Sequence, residues 1–341
     1  MMMDNPCEKV RTTCASFSSR VAWLDKEAAK VFADSIDIAK VVDFSTSAQG
    51  LSTNRFDELE FASEADEAGF ILIAHALDFG SGFRPLLHKY RNNAGAWLTI
   101  RAGLVKMGTV NSSMNCSFLT SLTLGDIQAH FDLHNDELVP LAEYIKEDVF
   151  EIGTELLAQG FKTPGEFVVH HLDPDMSSGK GAEHLVRSLV ELFPLTFSDE
   201  YIVNDQNVCF YKKAQLVVSE IHMRFPNMFA VSDTDNLTAF VDNVVVAMMR
   251  MTAVVKCCAE LDDSITAGNL ILKGSEEEVG LRSAALYAVE VIVSRCRERA
   301  QVEGANTHIN AQIVCNWLWG CLGKDGENRK FPRHLAPSIE Y

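Results

Sequence analysis

Apolar residues recur at helical spacing along most of the chain. In 138–157, Leu141, Ile145, Val149, Ile152 and Leu156 fall three or four apart, with Glu143, Lys146 and Glu147 on the other face. The same rhythm runs through 276–299 as Leu281, Ala285, Ala288, Val289 and Ile292. Acids open that segment and arginines close it, as a helix dipole favours. The pattern predicts further helices over 10–36, 97–106, 122–131, 182–193 and 308–322. Residues 201–210 alternate instead around Asn204 and Asp205, the pattern of a short hairpin. The polar stretch 43–65 reads as a long connector, 163–180 as a loop, 1–9 as a flexible tail and 10–341 as one helical domain. With no fixed repeat and no βαβ alternation, the expected fold class is all-α. It is a single large helical domain, or two lobes with a central cleft, carrying at most a small β-hairpin.

The stretch 232–256 is apolar on nearly every side and reads as one buried helix. Ser232 is its expected cap, with Asp235 three residues on and Asp233 and Asn236 in the same first turn. Asp242 interrupts the apolar run. A buried carboxylate is costly unless something pairs with it, so Asp242 is the first candidate for chemistry.

Other candidates follow from local pattern. Asp78-Phe79-Gly80-Ser81-Gly82-Phe83 forms a tight turn in which backbone can approach a ligand, and it stands open between a structural and a site-lining role. It is not a phosphate-binding P-loop, which needs GxxxxGK[ST]. Lys212 and Lys213 fall in the first turn of a helix, where the dipole disfavours cations, so they either meet an anion or are a solvated pair. Arg282 borders an apolar stripe and is expected to point inward. His170 and His171 diverge on any regular element, and with Asp173 and Asp175 they read as a surface turn rather than a metal site.

Composition narrows the partners. Hydrophobic content of 47% with 23% charged residues belongs to a globular protein. A net charge of −17 argues against nucleic acid or an anionic membrane as the main partner, but allows a small phosphorylated ligand held by local cations. Nine cysteines without a CxxC pair read as reduced thiols of a cytoplasmic protein. No apolar leader and no membrane-length apolar run is read. The closing FPRHLAPSIEY ends on an aromatic residue, which points to a docked terminus.

Several segments share an order with a known family. CFYKKAQLVV at 209–218, LTAFVDNVV at 237–245, EVGLRSAALYAVEVI at 278–292, INAQIVCNWLW at 309–319 and the closing PRHLAPSIEY carry the likeness. VPLAEYIKEDVFEIGTELL at 139–157 and HLVRSLVELFP at 184–194 fit the same order. The ordered set resembles the queuosine salvage protein family, the queuosine 5′-phosphate N-glycosylases, from about residue 10 to residue 341. The resemblance implies an all-α fold similar to helical DNA glycosylases and a hydrolase acting on queuosine 5′-monophosphate. It would cleave the N-glycosidic bond and release queuine for reuse in tRNA modification, with no cofactor, no metal and no direct tRNA, DNA or membrane contact. Asp242 matches the family's helix-start aspartate, Lys212 the lysine of its Phe-Tyr-Lys motif and Arg282 a late-helix arginine. His334 and Tyr341 match the C-terminal histidine and tyrosine. Departures are equally specific: Asn243, Val244 and Val246 stand where the family prefers Tyr-Arg-x-Pro, and Glu220 stands where many members carry aspartate.

Breaking a ribosyl C–N bond builds oxocarbenium character, which a nearby carboxylate stabilises. The expected catalytic set is Asp242, Asp235 as a second carboxylate, and Lys212. The expected substrate-binding set is Asp233, Ser81, Asn243, Arg282, His334 and Tyr341, with Phe79, Phe83, Tyr211 and Trp317 as stacking surfaces for the base. A catalytically silent nucleotide- or base-binding relative, acting as carrier or sensor, is the alternative. A helical interaction scaffold is a third.

Overall fold

The computed structural model describes residues 5–46, 55–172, 181–226, 233–304 and 308–341. In chain order the elements begin α1 (Pro6–Ser16), β1 (Ala22–Leu24), α2 (Lys26–Ser35), α3 (Ile38–Thr46), α4 (Glu64–Ala76), α5 (Arg84–Tyr90) and α6 (Ala96–Val110). Next are α7 (Cys116–Ser121), α8 (Leu124–Phe131), α9 (Val139–Ala158), α10 (Pro164–His171), α11 (Ala182–Leu192) and α12 (Pro194–Phe197). Then come β2 (Glu200–Val203), β3 (Gln206–Cys209), α13 (Lys212–Arg224), α14 (Asn243–Met251), β4 (Val255–Cys257), α15 (Ala259–Thr266), α16 (Glu276–Val302) and α17 (Ala311–Gly320). The fold is all-α, and the described residues include two antiparallel two-stranded ribbons, β1–β4 and β2–β3. Among the described residues no single helix is long and apolar enough to cross a membrane.

Contacts group the chain into two compact units, each assembled from separate stretches. The first takes Met1–Arg55, Glu200–Phe210 and Asp235–Ala336. It is built on α16, which packs against α1, α2, α14, α17 and β1. That explains why α16 buries residues on nearly every side, from Val279 and Leu281 to Ile292 and Cys296. The second unit takes Phe56–Asp199, Tyr211–Thr234 and Pro337–Tyr341. Its core helix is α4, buried without interruption from Ala68 to Ala76 and packed against α10 and α13. Gly69 and Gly165 make the α4–α10 crossing possible. A Cβ on Gly69 would lie 2.3 Å from the Gly165 nitrogen, so two bare backbones meet there.

Several elements depart from the sequence pattern, each for a local reason. The helix predicted over 232–256 is confined to α14. Residues 234–236 form a short 3-10 turn, and the apolar run from Leu237 to Val241 is buried without being helical. Asp242 therefore sits at the N-cap rather than inside a helix, because its carboxylate captures the backbone N–H groups of Val244 and Val245. At the other end, Ala253 turns left-handed at φ 56°, and the chain continues as β4 beside β1. The helix predicted over 10–36 is two helices: α1 starts at Pro6 under an Asn5 cap and buries Cys7, and Asp25 caps α2 after the β1 strand. The loop predicted over 163–180 contains α10, because Thr163 caps it and Pro164 fits its first position. The polar connector is also shorter than predicted, since α3 reaches Thr46 and Ser63 caps α4. Ser232, Asp173, Asp175, residues 1–4 of the predicted tail and 47–54 of the connector lie outside the described residues.

The remaining elements follow the pattern. Asn204 and Asp205, both at positive φ, turn the predicted hairpin. Thr123 and Asp126 form a capping box at α8.

Candidate active site

In the second unit the chemistry gathers at the start of α13. Tyr211, its N-cap, is buried in the left-handed region at φ 50° and ψ 36°. That backbone costs a bulky residue on the order of 1–3 kcal/mol unless its surroundings hold it. Lys212 and Lys213 follow, both buried. Their ammonium groups do meet anions, and those anions are protein carboxylates. Lys212 donates to Asp78 Oδ2 at 2.7 Å and to the Asp78 carbonyl at 3.1 Å. Lys213 donates to Asp148 Oδ2 at 3.1 Å and to the Ala76 carbonyl at 2.9 Å, with its Nζ 4.9 Å from the Phe79 ring centre. The two lysines oppose the dipole of their own helix. They satisfy carbonyls at the C-terminal end of α4, where cations are favoured.

The charges here are tuned against one another. Burial works against ionisation of Asp78, but Lys212, His75 and Lys213 outweigh it and hold the carboxyl below its usual range. Burial pushes Asp148 up to about 6 despite the neighbouring Lys213 ammonium. Burial drives His75 down to about 4, so its imidazole is neutral at physiological pH. The ring stacks on Trp97 with centres 6.3 Å apart. The adjoining turn is knit to the last residue, since the Gly80 and Ser81 amides donate to the Tyr341 main-chain oxygen at 3.2 and 3.3 Å. Phe79, Phe83 and Tyr341 are buried, and Phe83 meets Tyr144 edge to face. Asp233 accepts from the Ala182 and Glu183 amides at 2.8 and 3.2 Å, so it caps α11.

In the first unit the chemistry gathers at the start of α14. Asp242 Oδ1 accepts from the Val244 and Val245 amides at 2.8 and 2.9 Å. Its Oδ2 accepts from the Trp319 indole at 2.9 Å. Asn243 is buried and donates to the His334 carbonyl at 3.3 Å. His334 is itself buried, and burial together with the charges of Arg282 and Arg250 drives its pKa to about 3. Arg282 is fully buried, as its stripe predicts. It pairs with Glu278 at 3.4 Å and lies 3.9 Å from the Phe210 ring centre. Trp317 packs on Phe32. Asp235 is half exposed and held by His308 and Asn310, each at 2.8 Å. Neither Asp235 nor Asp233 shares a helix with Asp242.

Sequence reasoning did not select Asp148, His75 or Trp319. Asp148 was within reach: it stands three residues after Ile145 and four before Ile152, on the apolar face of α9. Nothing in the local pattern separated Trp319 from Trp317. The histidine loop resolves into a packed cluster, in which His171 Nδ1 lies 3.2 Å from His184 Nε2 and 3.0 Å from Ser188 Oγ. Among the described residues no group of three or more His, Cys, Asp or Glu side chains could hold a metal ion.

An all-α fold carrying a donor-held carboxylate at one buried helix start and two carboxylate-paired lysines at another defines a helical protein that fixes charges at buried helix starts. The sequence profile of the Queuosine salvage protein family matches residues 62–341, and the chain belongs to that family. It is similar to proteins named queuosine 5′-phosphate N-glycosylase/hydrolase. The Mus musculus protein is 26% identical over 231 residues, and the Sphaerobacter thermophilus protein is 29% identical over 229. Each match covers 67% of this chain and 66% of the relative, so it spans about two thirds of those proteins. The Nematostella vectensis protein is 25% identical over 293 residues, covering 80% of this chain and 81% of that protein. Those names give the relatives an enzymatic activity.

Proposed function

We propose that this chain is an N-glycosidase that hydrolyses queuosine 5′-monophosphate and releases the base queuine for salvage into tRNA modification. The observation that carries the reading is the Asp242 carboxylate, fixed at the start of α14 by the Val244 and Val245 amides. Family membership and the names of the relatives support the substrate. As the bond from C1′ to the base nitrogen breaks, positive charge develops across C1′ and the ring oxygen. A carboxylate already held by hydrogen-bond donors stabilises that charge with little reorganisation. Water then supplies hydroxyl to C1′, and its proton leaves with the base nitrogen, so ribose 5-phosphate and neutral queuine balance the reaction. The net charge of −17 suits a free nucleotide better than a whole tRNA.

The test is direct. Purified protein is incubated with queuosine 5′-monophosphate, and free queuine is followed by chromatography. Release by the wild type is expected, with a loss of about 10²-fold or more in Asp242→Asn, which keeps the cap but not the charge. No release by the wild type, or near-normal release by Asp242→Asn, would overturn the assignment.

A further inference from the structure

We propose that Trp319 is a positioning residue for the glycosidic step, its indole N–H setting the plane of the Asp242 carboxylate. The inference rests on the reading that Asp242 acts on the ribose. A helix cap by itself fixes one carboxylate oxygen. Here Oδ1 takes the Val244 and Val245 amides, and that grip alone lets the carboxylate pivot about the capped oxygen. The Trp319 contact at 2.9 Å ties down Oδ2 and removes the pivot.

The indole is held in turn. Trp319 is half-buried in the last turn of α17, and the Lys324 ammonium sits 4.3 Å from its ring centre. A cation over an indole face draws electron density from the ring and makes the N–H a stronger donor. The turn bearing Lys324 presses on the same end of α14 that Asp242 caps, since a Cβ at Gly323 would lie 2.5 Å from Val244 Cγ1. Trp317, two residues earlier, takes another face of α17 and packs on Phe32, so it cannot substitute.

Three variants and one spectrum test this. Trp319→Phe keeps a ring and loses the donor. It is expected to lower kcat by about 10–100-fold with KM within about twofold, because small errors in the position of a reacting group cost up to about 10²-fold. Trp319→His restores a ring N–H and is expected to recover about tenfold over the phenylalanine variant. In a ¹H–¹⁵N spectrum the four tryptophans give separate indole signals, and Trp319 is assigned by its loss in Trp319→Phe. Asp242→Ala is expected to shift that signal upfield and leave the other three in place.

A Trp319 signal indifferent to Asp242→Ala overturns the inference, whether or not base is released. So does a Trp319→Phe kcat within about twofold of wild type, or equal impairment of the phenylalanine and histidine variants. Failure of the wild type to release base removes the glycosidase reading and this inference with it. Release by the wild type that Trp319→Phe leaves unchanged removes this inference alone.

Discussion

The starts of α13 and α14 are both buried, and their charges are opposite. At α14 a carboxylate stands where the helix dipole favours it, and its first partners are backbone amides two and three residues away. At α13 two lysines stand where the dipole opposes them, behind a tyrosine in a left-handed backbone. Their carboxylates come from 134 and 65 residues away. The cap in the first arrangement is made by the neighbouring backbone itself. The second exists only once α4 and α9 have brought Asp78 and Asp148 to it. A helix start that defies its own dipole thus marks long-range assembly, whereas one that obeys it can carry a charge for chemistry at little structural cost.

The largest effect should come from breaking that assembly. Lys213→Met leaves Asp148 buried without its counter-ion and is expected to cost about 3–5 kcal/mol in urea unfolding. Lys213→Met with Asp148→Leu should recover most of the loss, and failure to recover would show that the pair is not the support. Acid should act next, through both helix starts. His75 and His334 have folded values of about 4 and about 3 against an ordinary 6.5, so each adds stability above pH 6.5 that is lost as pH falls. Asp148 runs the other way: raised to about 6 from 3.8, it favours the folded state more as pH falls through 6. Between pH 7.5 and 5 the histidines should remove about 2 kcal/mol each and Asp148 restore about 1, leaving a net loss of about 3. Unfolding at the two pH values checks this, and His75→Gln should shrink the difference.

Smaller effects sharpen the α14 side. Asp242→Ala should cost about 1 kcal/mol of stability and Asp242→Asn almost none, since asparagine caps as well as aspartate. Equal losses would mean that the charge, not the cap, supports the helix start. Asp235→Asn should change stability by less than about 0.5 kcal/mol, because its partner His308 is a solvent-exposed surface residue.

Much of the fold was legible where spacing is long and regular. The stripes of α9, α11 and α16 appear as their sequences imply, and Asn204-Asp205 announced the hairpin. The β1–β4 ribbon was not legible, because its two strands are three residues each and lie far apart in the sequence. The Pro164-Gly165 pair that reads as a loop is a helix start and a close backbone crossing. At the candidate site, the inward turn of Arg282 followed from its stripe, whereas the dipole left the lysines open between meeting an anion and being a solvated pair. That the anions are Asp78 and Asp148 was not legible, since periodicity says nothing about which distant carboxylate arrives. Asp242 was singled out for the wrong local reason. It looked like a charge inside a helix, but the apolar residues before it are buried without being helical.

The interleaving of the two units bears on how the protein is made. Chain leaving a ribosome delivers 1–55 of one unit, then 56–199 of the other, and each unit waits for later pieces. The first cannot close until 235–336 have emerged, and the second takes up 337–341 after that. Each unit is thus closed by segments far apart in sequence, and α4 stays partly uncovered until α10 and α13 have followed it. Yield in a recombinant host should therefore respond to translation speed and to chaperone supply.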